Sequence, residues 1–102
     1  MICKSAESES KLKYNIKKML IRRGVYYISV KGGAHTEKGS PDLVMCHRQR
    51  FIACEAKEGY NDQSDWQNAM QEIAQASGAI WIKAYSVKDV EDVLDEIDRQ
   101  CQ

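Results

Sequence analysis

The stretch Gly39–Lys57, GSPDLVMCHRQRFIACEAK, combines a turn, two short apolar segments and three charged residues at fixed places. Asp42 follows the turn, and Glu55 and Lys57 stand two positions apart at the end of the second apolar segment. Because alternate residues of a strand share a face, Glu55 and Lys57 point the same way. If the two segments pair as a hairpin, Asp42 lies at the same end. Two carboxylates held together repel each other, so the stretch predicts a divalent-cation site.

The ligand types in this stretch indicate which cation and which chemistry it serves. Carboxylate oxygens from Asp42 and Glu55 suit Mg²⁺ or Mn²⁺ better than zinc. A metal that holds a phosphate oxygen and a water is the machinery of phosphodiester hydrolysis. Lys57 is placed to orient that water or to stabilise the developing negative charge. In the alternative interpretation, Asp42 only caps a strand and Glu55 forms an ion pair of small value with Lys57 or Arg50.

Length and charge set the bounds within which any function must fit. The 102 residues predict a single domain over residues 1–102, small enough for dimerisation to help its stability. Net charge is zero, but residues 1–50 carry +7 (eleven Lys and Arg, four Asp and Glu) and residues 51–102 carry −7 (four and eleven). This asymmetry indicates either a basic surface for nucleic acid or attraction between the two halves across a fold or a dimer.

Several classes of protein are excluded at the level of sequence. No run of about 18 apolar residues predicts a membrane span, and the polar, acidic start of the chain is unlike a secretory signal. The four cysteines form no C-x-x-C pair, which favours a reduced cytosolic protein without a zinc ribbon. The order Lys38-Gly39-Ser40 is not that of a phosphate-binding P-loop, so no nucleotide cofactor is expected.

Hydrophobic periodicity predicts the element order α-β-β-β-α-β-α. The β-α-β step between the last two strands predicts a parallel crossover, so the fold class is α/β with a small mixed sheet flanked by helices. The second helix is expected to turn an apolar side, including Trp66 and Ile73, toward the core. The predicted elements are a helix over 8–23, strands over 25–30, 42–47 and 51–57, a helix from the cap at Ser64, a strand over 79–84 and a helix after Ser86.

Two polar residues outside the central stretch stand on the helices that flank it. Glu9 lies at helical spacing from Leu12 and Ile16, so it points toward the apolar side of the first helix. A first-turn acid favoured by the helix dipole explains Glu9 equally well. Gln67 completes the S-x-x-Q pattern that begins with Ser64, which indicates a capping box.

The charged residues and their spacing resemble a known family. Pro41-Asp42 followed by Glu55-Ala56-Lys57, with Glu55 thirteen positions after Asp42, resembles the PD-(D/E)XK nuclease signature. The segments Gly39-Ser40-Pro41-Asp42-Leu43 and Ala53-Cys54-Glu55-Ala56-Lys57, with Ser8-Glu9 in the first helix and Ser64-x-x-Gln67, look like the VRR-NUC (virus-type replication-repair nuclease) branch. This resemblance covers nearly the whole chain, and it implies a restriction-endonuclease-like α-β-β-β-α-β-α core.

The resemblance also implies roles for individual residues. Its carboxylates are expected to bind the metal, helped by the backbone carbonyl of Ala56. Its lysine is expected to act in catalysis, and its glutamine to position that lysine or the substrate. The implied catalytic residues are Glu9, Asp42, Glu55, Lys57 and Gln67, of which Glu9, Asp42 and Glu55 are the side-chain metal ligands.

The function implied by the resemblance is a Mg²⁺- or Mn²⁺-dependent, structure-selective DNA endonuclease. The expected substrate is branched DNA, such as a four-way junction or a flap, cut by a homodimer similar to Holliday-junction resolvases. The expected setting is DNA repair in the cytoplasm of a bacterial or phage-infected cell. Two alternatives remain open: a DNA-binding or assembly module that does not cut, and a restriction-type duplex nuclease that reads bases with loop 32–41.

Overall fold

The computed structural model describes residues 8–30, 37–59 and 62–101, and it confirms the predicted order of elements. Strand ends differ from the prediction by at most one residue, and the third strand begins one residue earlier, at Arg50. The elements are α1 (Glu9–Arg23), β1 (Tyr26–Ser29), β2 (Leu43–His47), β3 (Arg50–Ala56), α2 (Asp65–Ala76), β4 (Ile80–Ala84) and α3 (Val87–Gln100).

The strands form one mixed sheet in the order β1-β2-β3-β4. The first three strands are antiparallel, and β4 runs parallel to β3 after the crossover through α2. Arg48 and Gln49 turn between β2 and β3, and both have positive φ angles, 50° and 70°. Two left-handed residues are the signature of the tight hairpin whose twist matches that of the strands. The predicted hairpin and the predicted parallel step are both confirmed.

Helices α1 and α3 cover one face of the sheet. The apolar residues of α1 recur at helical spacing, and those of α3 do the same, so each helix presents one apolar side to the strands. Burial of these side chains is the main stabilising term of the fold. The core consists of Leu12, Ile16, Met19, Leu20, Val25, Leu43, Met45, Ile52, Cys54, Ala56, Ile82, Ala84, Val90, Leu94 and Ile97.

Helix α2 lies on the opposite face, against the edge strand β4. The expectation that its apolar side is buried is wrong for Trp66 and Ile73, which are 59% and 63% exposed. A sheet covers only part of a helix that lies beside its edge strand, so some apolar side chains of the helix remain in solvent. Gln67 is instead the buried residue of α2. On the same face of the sheet, Tyr26 and Phe51 are also exposed.

Opposite charges from the two halves of the chain meet at the far end of this fold. Arg23 at the end of α1 contacts Asp95 at 2.8 Å and Asp98 at 3.4 Å. Asp98 also accepts from Arg48 at 2.8 Å and lies 2.7 Å from Nε2 of His47. The attraction between the halves, one of the two alternatives from sequence, therefore operates within the fold.

Within the part of the chain that the structure describes, no helix is long and apolar enough to cross a membrane. Helix α1 begins after the N-cap Ser8 and ends at Gly24, which has a φ of 72°. An isolated histidine such as His47 is expected at the surface or on DNA, and here its Nε2 lies 2.7 Å from Oδ1 of Asp98. A cysteine inside an apolar strand segment is expected to behave as a buried small hydrophobe; this holds for Cys54 but not for Cys46, which is exposed. His35 lies outside the described residues.

Candidate active site

A tight turn that packs on α2 sets the position of Asp42. Ser40 is buried, and its hydroxyl and backbone N–H donate to the carbonyl of Glu37 at 2.7 and 3.2 Å. Gly39 has a φ of +81° and packs so closely on the first turn of α2 that a Cβ would lie 2.4 Å from the carbonyl oxygen of Trp66. Only glycine fits both the left-handed backbone and this approach. The turn therefore enters β2 at a defined angle.

A β-bulge then turns the Asp42 side chain toward the end of β3. The backbone N–H of Asp42 donates to the carbonyl of Cys54 at 3.0 Å, although Cys54 is already the register partner of Leu43. Two residues of one strand opposing one residue of the next is the arrangement of a bulge, which commonly re-aims a side chain beside an active site. Oδ2 of Asp42 accepts from the backbone N–H of Ala56 at 2.8 Å.

The carboxylate of Asp42 consequently lies against the peptide that joins Glu55 to Ala56. Both carboxyl side chains are withdrawn from solvent, with 4% of Asp42 and 1% of Glu55 exposed. The pKa of the Cys54 thiol is raised to about 12, mainly by burial and in part by the negative charges of Asp42 and Glu55. Asp42 and Glu55 therefore lie at the same end of the hairpin, and their joint role at a metal stays a prediction.

Lys57 continues the path of β3 beyond its last strand residue. Its backbone N–H donates to the carbonyl of Ala84 at 2.8 Å, so the pairing with β4 extends by one residue. Strand alternation places its side chain on the same face as Glu55. The side chain is half-buried, which leaves its ammonium group within reach of a substrate. Asp42, Glu55 and Lys57 are thus gathered at one end of the sheet.

The residues at this end suit a hard divalent cation. Asp42 and Glu55 supply carboxylate oxygens, and the Ala56 carbonyl points to the same side of β3 as the Ala56 N–H that Asp42 accepts. A set made only of oxygen donors is the one that Mg²⁺ and Mn²⁺ prefer. Two carboxylates this deeply buried are costly without positive charge nearby. Lys13 of α1 supplies one such charge, with Nζ 3.6 Å from Oδ1 of Asp42.

Glu9 stands near this end but does not complete a cluster of three carboxylates. Among residues 8–30, 37–59 and 62–101, no three His, Cys, Asp or Glu side chains gather closely enough to hold a metal ion. Glu9 lies in the first turn of α1, one helical turn before Lys13, so both residues share a side of the helix. Because Lys13 reaches Asp42, Glu9 is on the helix side that faces the site. Its role as a metal ligand stays a prediction.

Gln67 forms the capping box that its spacing predicted. Its backbone N–H donates to Oγ of Ser64 at 3.2 Å, and its Oε1 accepts from the backbone N–H of Ser64 at 2.9 Å. These bonds satisfy two backbone donors at the start of α2. Burial of Gln67 beside the turn that packs on Trp66 places it on the α2 side of the site. A direct role in catalysis stays a prediction.

The structure adds residues that sequence reasoning missed. Helical spacing alone places Lys13 among the cations outside the apolar side of α1, yet it pairs with Asp42. Lys83 of β4 is the register partner of Glu55, and its Nζ lies 2.6 Å from Oδ1 of Asp62. The only sequence signal for Lys13 was its place four residues after Glu9. Nothing local marked Lys83, because strand register depends on the whole crossover.

Comparison with known proteins bears out the fold. A solved structure described as a VRR_NUC domain aligns with this chain at a TM-score of 0.68 and 21% sequence identity, over 85% of this chain and 94% of the other. The sequence matches no protein-family model and no curated protein. The likeness confirms the restriction-endonuclease-like mixed sheet, and it agrees with the VRR-NUC resemblance read from the motifs.

Proposed function

We propose that this chain is a metal-dependent nuclease that hydrolyses phosphodiester bonds in DNA. The observation that carries the proposal is that the buried Asp42 carboxylate accepts from the Ala56 N–H of β3, directly after the buried residue Glu55 and directly before Lys57. An ion pair that only stabilises the fold needs neither a β-bulge nor a contact that only glycine can make in order to position one of its two residues. The fold shared with a VRR_NUC domain supports the same chemistry.

Each residue of the site has a definable task in this reaction. Asp42, Glu55 and the carbonyl of Ala56 would hold Mg²⁺ or Mn²⁺, with Glu9 as the further acid. The metal, when bound, polarises the scissile phosphate and lowers the pKa of a water. Lys57 presents a positive charge where negative charge develops on the phosphate, and it orients the attacking water. Gln67 holds the first turn of α2 in place and so supports the segment that carries Asp42.

The substrate proposed for this site is branched DNA, such as a four-way junction or a flap. The support is the positive charge of α1. Helix α1 carries Lys11, Lys18 and Arg22 on its exposed surface, in a row that starts near Lys13, the contact of Asp42, and runs toward Arg23 at the far end of the fold. These cations provide contacts to the phosphate backbone that carry no sequence preference. In the described residues no element projects as an obvious reader of base edges, and loop residues 31–36 lie outside them.

A homodimer is the proposed working state. Tyr26, Ile28 and Phe51 share one face of the sheet and are exposed, as is Ile73 of α2 on the same side. Large aromatic side chains bury about 150–250 Å² each, so these partly exposed residues supply roughly half of the ~800 Å² per partner of a standard interface and would form its apolar centre. A second copy of the chain fits because two sites related by a two-fold axis match the two strands of a junction. Sedimentation should show a dimer that Phe51→Glu converts to a monomer.

The decisive experiment is a cleavage panel of four-way, flap, Y-shaped and linear DNA with Mg²⁺, Mn²⁺ or EDTA. The wild-type chain should cut branched DNA with either metal and should be inactive in EDTA. Asp42→Asn, Glu55→Gln and Lys57→Ala should each abolish cutting with the circular dichroism spectrum unchanged. Arg99→Gln near the end of α3, at the opposite end of β3 from the site, is the control and should cut normally. Preferred cutting of linear duplex would favour a restriction-type nuclease, and DNA binding without any cutting would favour a module that only binds.

A further inference from the structure

A second lysine shares the active-site face of the sheet. Lys83 of β4 is the register partner of Glu55 on β3, so the two residues are neighbours on one face, about 4.8 Å apart across the strands. Lys57 lies two residues beyond Glu55 on that face. The Lys83 side chain is about one-third exposed, 34%, which leaves it accessible from solvent. Two lysines therefore stand next to Glu55 on this face, Lys83 across the strands and Lys57 along β3.

One exposed carboxylate already engages this pair of lysines. Oδ1 of Asp62 lies 2.6 Å from Nζ of Lys83. The hydrogen bond from Lys83 is the largest cause that lowers the pKa of Asp62, and the charge of Lys57 also contributes. Asp62 is 72% exposed, so it approaches the lysines from the solvent side. It occupies the approach that an anionic ligand of the two lysines would use.

A buried glutamine holds Asp62 in this position. The backbone N–H of Gln63 donates to Oδ1 of Asp62 at 2.7 Å. The Gln63 side chain is buried, and its Oε1 accepts from Nε1 of Trp81 at 2.6 Å. Its Nε2 donates to Asn68 at 2.9 Å and to Gln71 at 2.7 Å, which ties the residue to α2. Free surface ion pairs lack such an anchor, and they contribute little because both side chains are mobile.

We propose that Lys83 and Lys57 form a phosphate-binding pair for the DNA backbone and that Asp62 is a built-in anion that competes with that phosphate. The inference rests on the proposed function only in taking DNA as the source of the phosphate. A phosphate oxygen replaces the Asp62 carboxylate on Lys83 and places the adjacent phosphodiester beside Lys57. Asp62 thereby weakens the binding of any DNA that does not place a phosphate on Lys83.

The test is equilibrium binding of fluorescent four-way and linear DNA in EDTA, where no cutting occurs, over about 50 to 200 mM salt. Lys83→Gln should weaken binding roughly five- to tenfold at about 0.1 M salt and should reduce the slope of log K against log salt by about one. Asp62→Asn should change affinity in the opposite direction, tightening it roughly threefold or more, because a competing anion is removed.

A matched ion pair elsewhere on the chain provides the control. Arg99 and Glu96 near the end of α3 form an exposed ion pair beside Asp98, which contacts Arg48 at the hairpin turn, the end of β3 opposite the site. Arg99→Gln and Glu96→Gln make the same charge changes and should alter binding less than twofold, because the length of β3, roughly 20 Å for seven residues, separates this end of the fold from the site and exceeds the roughly 10 Å screening length. Thermal unfolding of all four variants confirms that they fold.

The outcomes separate this inference from the function on which it rests. Opposite shifts for Lys83→Gln and Asp62→Asn, both larger than in the α3 controls, support it. If the wild-type chain cuts DNA but either variant binds like its control, the phosphate-pair inference is wrong and the nuclease proposal stands. If the wild-type chain neither binds nor cuts DNA, both are wrong.

Discussion

Replacing Gly39 with alanine is the substitution whose effect the structure predicts most closely. Gly39 has a φ of +81°, and an added Cβ would lie 2.4 Å from the carbonyl oxygen and 2.6 Å from the carbonyl carbon of Trp66. Both of these are backbone atoms of α2, so no side-chain rotation relieves the overlap. Either the turn or the first turn of the helix must move.

Two effects add to give the expected loss of stability. The left-handed conformation costs a residue with a Cβ about 1 kcal/mol. Forcing the extra carbon into a packed backbone contact costs a further 1–3 kcal/mol, roughly. Gly39→Ala should therefore lower the free energy of unfolding by about 2–4 kcal/mol. Gly24→Ala is the matched control, because Gly24 has a φ of +72° and nothing within 4 Å of its Cβ position.

Urea unfolding of the two variants isolates the contact from the conformational strain. Gly24→Ala should lose about 1 kcal/mol, and the excess loss in Gly39→Ala measures the contact with α2. At a temperature where both variants are folded, Gly39→Ala should also cut DNA more slowly, since the displaced turn carries Asp42 three residues later. Equal losses of stability in the two variants, with equal cutting rates, would refute the packing of this turn on α2.

Three further predictions concern the core, a helix cap and the response to acid. Ile16→Ala should lower the free energy of unfolding by about 2–5 kcal/mol in urea titrations, because Ile16 is fully buried between α1 and the sheet; a loss below 1 kcal/mol would contradict this packing. Ser64→Ala should cost about 0.5–2 kcal/mol by the same measurement, because the capping box with Gln67 is lost, whereas Ser64→Asp should retain most of the stability. The hydrogen bond from His47 is the largest cause that lowers the pKa of Asp98 below 3.8. A carboxyl whose pKa is depressed by folding stabilises the native state above its unfolded pKa, and that stabilisation is lost as the pH falls through the folded value. Unfolding curves from pH 6 to about 2 should therefore show an acid-induced loss that Asp98→Asn reduces, and an unchanged pH profile would be the contrary result.

The order of elements was predictable because its signals are local. The spacing of Leu12 and Ile16 marks a helix, and the patterns at Ser64 and Ser86 mark helix starts, each within a few residues. The exposure of Trp66 was not predictable in the same way. Its burial depends on which strand α2 covers, and a helix that rests on an edge strand leaves part of its apolar side in solvent.

The same distinction applies to the candidate site. Asp42, Glu55 and Lys57 were predictable because they flank one short hairpin, where strand alternation and the turn set their relative positions. The bulge at Asp42 carries no local sequence mark. Lys83 was not predictable because its place beside Glu55 requires the register of a parallel pair, which only the assembled sheet defines.

The role of Glu55 at a catalytic metal is tested most directly by the rate at which a four-way junction is cut with Mn²⁺. The rates of the wild-type chain and of Glu55→Gln are measured side by side under single-turnover conditions. The amide keeps the size of the buried side chain but removes its charge. We expect the wild-type chain to cut the junction and EDTA to stop the cutting. A folded Glu55→Gln variant should cut at least roughly a thousandfold more slowly than the wild type. Cutting by Glu55→Gln at the wild-type rate, or wild-type cutting that persists in EDTA, would contradict the assignment of this site.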